Sequence, residues 1–104
     1  MTIKSITLMG QRWIVRRSAL PRRDMGEIDQ KTNTIIIDTE VEGDCYLDTL
    51  IHESLHAGEA MLMMDIEEEV MYRMAPVVLS LIRDNPGLVA AIQGSGCDGP
   101  EGTH

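Results

Sequence analysis

The residues His52-Glu53-Ser54-Leu55-His56 carry two imidazoles four positions apart, with a carboxylate beside the first. On an α-helix, positions i and i+4 lie one above the other, so His52 and His56 can reach a single cation. Glu53 is rotated about 100° around the axis. It is poorly aimed at the same ion but suited to holding a water bound to it. An H-E-x-x-H string arises by accident in a chain this long roughly a few times in a thousand. The pattern therefore argues for metal more strongly than for any one reaction.

A catalytic zinc takes three protein ligands and keeps one position for water. The remaining histidine, His104, ends a glycine-rich stretch and is a poor source. A better one is Glu67-Glu68-Glu69, because an antiparallel helix after a short turn brings its first turns back beside the H-E-x-x-H helix. Glu68 lies three before Met71 and seven before Ala75, next to the inward stripe, whereas Glu67 shares a stripe with Val70, Met71 and Met74 and competes for the role. Glu69 points farthest toward solvent. Acid at a helix start also complements the dipole, which accounts for two of the three carboxylates. The expected centre is Zn2+ on His52, His56 and Glu68, with Glu67 the competitor. Glu53 would be the general base, Tyr72, one turn beyond Glu68, an oxyanion donor, and Asp48, one turn before His52, a carboxylate orienting an imidazole.

Elements that can position these groups are visible on either side. Ile3, Ile6 and Leu8, then Trp13 and Val15, read as two short strands turned at Gly10. Residues 16–23, with Pro21, read as a loop. Met25-Gly26-Glu27-Ile28-Asp29 and Thr34-Ile35-Ile36-Ile37-Asp38 are two more strands, and the isoleucine run suggests cover on both faces. Asp44 is suited to capping a helix over about residues 45–63, with Leu47, Leu50, Ile51, Leu55 and Leu62 as its apolar stripe and Asp48, His52, His56 and Glu59 beside it. Gly58 invites a close approach or is an ordinary helical glycine. Asp65 with Glu68 has capping-box spacing for a second helix that buries Val70, Met71, Met74, Val77, Val78, Leu81 and Ile82. Pro76 must kink or split that helix, and Asn85-Pro86-Gly87 should stop it. Residues 88–92 add an apolar helical turn. The fold expected is α+β, a small, mostly antiparallel N-terminal sheet packed on the H-E-x-x-H helix and a second helix, with one domain over residues 1–93 and a flexible tail over 94–104.

Composition fits one soluble domain. The chain has 104 residues, no Phe, one Trp and 8 Met, so its core must be aliphatic and Met-rich. The net charge is -8, yet Lys4, Arg12, Arg16, Arg17, Arg22 and Arg23 all precede the first acid, Asp24. That balance argues against a general nucleic-acid binder while leaving a local basic cluster that could face phosphate, or simply the solvated face of strands. Two distant cysteines, Cys45 and Cys97, form no disulfide framework, and no signal-like or membrane-length apolar run occurs, so a cytoplasmic setting without membrane is expected.

From residue 25 to 86 the chain resembles the small zincin-like metallopeptidases, compact phage and prophage ones and the ImmA/IrrE peptidase domain. The resemblance rests on Met25 to Asp29, Ile35 to Asp38, Asp48 to Ala57, Glu68-Glu69-Val70, Met74-Ala75 and Asn85-Pro86. It implies a sheet whose edge strand lies beside the active helix and takes an extended peptide as a further strand. It also implies zinc on two histidines and a downstream glutamate, matched here by His52, His56 and Glu68, with Glu53 as base. ImmA-type proteins usually continue into a longer C-terminal region where this sequence has a glycine-rich stretch, and its interval from His56 to the glutamates is short. The expected function is a zinc-dependent peptidase acting on an intracellular protein or peptide. The alternative is a non-catalytic zinc-binding module of the phage-encoded kind that presents a surface to a host protein. Sequence leaves the oligomeric state open.

Overall fold

The computed structural model describes residues 2–21 and 24–95, the last without its side chain. Strands β1 (Ser5–Leu8), β2 (Gln11–Arg17), β3 (Gly26–Asp29) and β4 (Thr34–Ile37) precede helices α1 (Gly43–Met61), α2 (Glu68–Arg83) and α3 (Pro86–Ser95). The protein is α+β. Its sheet has the order β1-β2-β4-β3, with β2 and β4 parallel and the outer pairings antiparallel.

The β1–β2 hairpin turns through Met9 and Gly10, both at positive φ (49° and 80°), as a two-residue connection demands. β2 then alternates, placing Trp13 and Val15 inward and Arg12, Ile14 and Arg16 outward. The strand runs through Arg16 and Arg17, which the sequence assigns to a loop. Arg17 continues the inward row. Its guanidinium lies over the Tyr46 ring, 4.8 Å from the centroid, and donates to the carbonyls of Asp38, Thr39 and Val41. This arginine pins a loop and is not part of a free basic face, while Arg22 and Arg23 lie outside the described residues.

Every residue of β4 is buried. Ile35 and Ile37 face the core with Val15, Tyr46, Leu50 and Ala57. Ile36 points to the other face, between Arg16 and Glu27 in the register. The register also sets Gly26 beside Ile37 and Ile28 beside Ile35, so the inward row of the edge strand β3 is Gly26 and Ile28.

α1 starts two residues before the expected position. Gly43, at φ +63°, turns the chain in, and Glu42 occupies the N-cap without a side-chain bond. Asp44 is therefore a first-turn acid, not the cap, and it pairs with Arg83 at 3.1 Å. The face of α1 against the sheet runs through Tyr46, Leu50, Glu53 and Ala57, a 4-3-4 spacing, with Thr49 beside it. The expected stripe is thus rotated: Leu47, Ile51 and Leu55 are half-buried and Leu62 is exposed. α2 starts at Glu68 with Glu67 as N-cap, so Asp65 belongs to the connection and caps nothing. Pro76 is accommodated inside one continuous helix. Of the expected buried face only Met71 is buried, joined by Ala75, while Val70, Met74, Val77, Leu81 and Ile82 are 43–57% exposed. α3 extends past the expected end, through Gly94 to Ser95; the rest of the proposed tail lies outside the described residues. Among the described residues no single helix is long and apolar enough to cross a membrane, and α2 with α3 reaches that length only as a pair bent by 80°.

Candidate metal centre

α1 and α2 run antiparallel, as the Asp44–Arg83 contact at one end requires. At the other end the first residue of α2, Glu68, lies over the middle of α1. Its Oε2 is 2.9 Å from His52 Nε2 and its Oε1 is 2.8 Å from His56 Nε2. One ligand atom from each of the three residues lies within 4.8 Å of the others. Glu67, the competitor, is not in this group. His104 lies outside the described residues.

The donor chemistry of the group fits a cation. Glu59 Oε1 stands 3.0 Å from His56 Nδ1, and its Oε2 accepts the Ile66 backbone N–H at 2.6 Å. A carboxylate can only accept, so Nδ1 carries a proton. In the neutral ring Nε2 is then a lone pair facing the Glu68 carboxylate. Two acceptors 2.8 Å apart need a second proton or a positive ion. Burial pulls the His56 imidazolium down, but the Glu59 bond and the charges of Glu68 and Glu53 outweigh it and raise its pKa. Sequence reading placed Glu59 only on the polar stripe; its interval of three from His56 was the available signal for its orienting role.

Glu53 is 7% exposed, in the row of α1 that meets the sheet. Burial pushes its carboxyl up to about 7. His56 pulls it partly back, while Glu68, Glu27 and Asp24 add repulsion. The enclosing surface is the edge strand. A Cβ at Gly26 would come within 2.9 Å of Glu53 Cγ and 3.0 Å of Thr49 Cγ2, so only glycine lets β3 pass this close. The glycine that a close approach requires is Gly26; a Cβ at Gly58 would meet only Leu8, at an ordinary 3.6 Å. The signal was legible. Alternation back from the inward Ile28 puts a glycine on an inward strand position.

Glu53 borders two hollows along β3. One, of about 200 Å³, is lined by Met25, Gly26, Asp48, His52, Glu68 and Tyr72 among others. The second, of about 420 Å³, lies against Ile28, Gln30, His56, Glu59 and Met64. A further hollow of about 400 Å³ beside Arg17, Gly43 and Tyr46 is at the start of α1, away from these groups. Tyr72 is 62% exposed and meets the His52 ring edge-on at 5.9 Å, so it belongs to the rim of the first hollow and not to the core. Asp48 lines the same hollow, but among the described residues its buried Oδ1 has no hydrogen-bond partner, so that atom does not orient His52. Comparison of the chain with known protein families, with curated proteins and with solved structures yields no match.

Proposed function

We propose that the protein is a zinc-dependent peptidase, with His52, His56 and Glu68 as metal ligands and Glu53 as general base. The observation that carries this reading is the Glu68 carboxylate spanning both Nε2 atoms, with an enclosed carboxylate beside them on the same helix. Zinc bound there would acidify a water toward neutrality and polarise a carbonyl. Glu53 would take the proton of the attacking water and return it to the leaving amine. A base with an affinity near neutrality suits both transfers. Glu59 would hold the His56 ring so that Nε2 faces inward. Tyr72, on the rim, would donate its phenolic hydrogen to the oxyanion of the tetrahedral intermediate.

The substrate would lie along β3. Because the Asp38 N–H bonds to the Met25 carbonyl, Met25, Glu27 and Asp29 turn their backbone groups toward β4. Gly26 and Ile28 turn theirs to the free edge, between the two hollows. An extended peptide added there as a strand would bring a carbonyl past Glu53.

Metal analysis of the purified protein should find about one zinc per chain, retained in Glu53→Gln and Glu67→Ala and lost in His52→Ala, His56→Ala and Glu68→Ala. Incubation with denatured proteins, followed by mass spectrometry of new N-termini, should show cleavage that drops about 10²- to 10⁴-fold in Glu53→Gln. Equal cleavage by the two proteins would sink the assignment of Glu53. Zinc without cleavage would leave a metal-binding module.

A further inference from the structure

Val70, Met74, Val77 and Leu81 recur at intervals of four, three and four along one flank of α2, each 43–57% exposed. Met71 and Ala75 occupy the adjacent face, against α1. On the same flank, α1 and α2 enclose a hollow of about 260 Å³ bordered by Leu8, Leu55, Leu62, Ile66, Val70 and Met74. It reaches Leu8 of β1, and Glu59, which contacts His56, also stands on its border. α3, which packs chiefly on α2, has no charged residue and leaves Leu88 44% exposed.

We propose that this flank is the interface of a symmetric homodimer, with α2 of a second copy lying antiparallel on α2. The 4-3-4 spacing is self-complementary under a two-fold axis: Met74 meets Val77, and Val70 meets Leu81. In this pairing α3, which turns away from α2 by 80°, adds Leu88 to the contact beyond the end of α2. Charge also favours a second copy. The chain bears -8, but residues 70–95 hold only Arg73, Arg83 and Asp84, two positive charges against one negative. Two copies can therefore approach through this segment without the repulsion they would meet elsewhere. The half-exposed apolar side chains present roughly 600 Å² per copy, at the upper end of what a monomer leaves exposed. With an ordinary polar surround, a pair would bury on the order of 1,600 Å², the size of a stable specific interface.

Sedimentation equilibrium of the full chain in EDTA, from about 1 to 300 µM, tests this independently of zinc. The expected result is a species of twice the 11.6 kDa chain mass. Val77→Asp and Leu88→Asp should each weaken association about 100-fold with an unchanged far-ultraviolet circular dichroism spectrum. If Val77→Asp fails to fold, Leu88→Asp, on a separate helix, decides. A single 11.6 kDa species throughout would overturn the proposal. So would a dimer insensitive to the folded variants, or a monomer that instead binds phosphatidylcholine vesicles through this flank.

Discussion

Glu53 is the residue at which enclosure and charge conflict most. Metal-free, its carboxyl titrates near 7 when folded, against an ordinary value near 4.5, chiefly because it is buried. The folded state therefore holds the proton more tightly than the unfolded chain does. Its contribution is most favourable below pH 4.5 and is lost progressively as pH rises to about 7. Glu53→Gln lacks that loss. In EDTA the variant should exceed the parent in stability by about 1–3 kcal/mol at pH 8 and by little at pH 4. Urea unfolding at the two pH values checks this, and an equal difference at both would contradict it. The neighbouring Gly26 carries a separate expectation. Gly26→Ala drives a methyl into Glu53 Cγ and Thr49 Cγ2. It should destabilise by about 1–3 kcal/mol through overpacking. Adding Thr49→Ser, which removes one of the two clashing atoms, should recover part of that loss in the same measurement.

Four strands follow from their residues because each has a short-range cause. Trp13 and Val15 lie between Arg12 and Arg16 with the exposed Ile14 between them, Gly10 supplies a turn conformation, and the β-branched run at Ile35 to Ile37 favours a strand. The helices were legible as elements but less so as faces. Glu53 was legible as a base but not as a buried residue: it lies in the row of α1 that meets the sheet, and only the glycine on β3 makes that possible. On α2 the apolar pattern was real, but of its expected residues only Met71 is buried, with Val78 half-buried and the rest exposed. Asp44 and Asp65 have the chemistry of caps, while Glu42 and Glu67 hold those positions without side-chain bonds. Asp38, the residue after β4, does hold loops together: its carboxylate accepts the N–H groups of Leu20 and Glu40. Those bonds set its pKa below the ordinary 3.8, aided by Arg17 and opposed by desolvation. A lowered folded value means that the stabilisation is present above the unfolded pKa and lost as pH falls through the folded one. Asp38→Asn should therefore lower the urea midpoint at pH 7, and the gap to the parent should narrow below about pH 4.

The candidate centre joins the two principal helices, and that makes metal a structural matter for the whole chain. His52 and His56 sit in the middle of α1, Glu68 opens α2, and the connection between them, Leu62 to Glu67, is largely exposed. Backbone N–H groups of Leu62, Met63 and Met64 bond to the end of α1, the Glu59 carboxylate adds a side-chain tie on the Ile66 N–H, and the same carboxylate holds His56. An ion on the three ligands would fasten the start of α2 to α1 in the folded state, a constraint that the unfolded chain cannot reproduce with the same geometry. By mass action, zinc at about 100 times its dissociation constant adds about 2.7 kcal/mol. For a domain of this size that corresponds to a rise in Tm of roughly 10–20 °C. Calorimetry at one protein concentration, in EDTA and then in zinc, should show the rise in the parent protein. It should vanish in His52→Ala and, at limiting zinc, shrink in Glu59→Gln, since loss of an orienting bond weakens metal affinity about 10- to 100-fold. An unchanged Tm in the parent protein would mean that the carboxylate between the two imidazoles is an ion-pair cluster and not a zinc site.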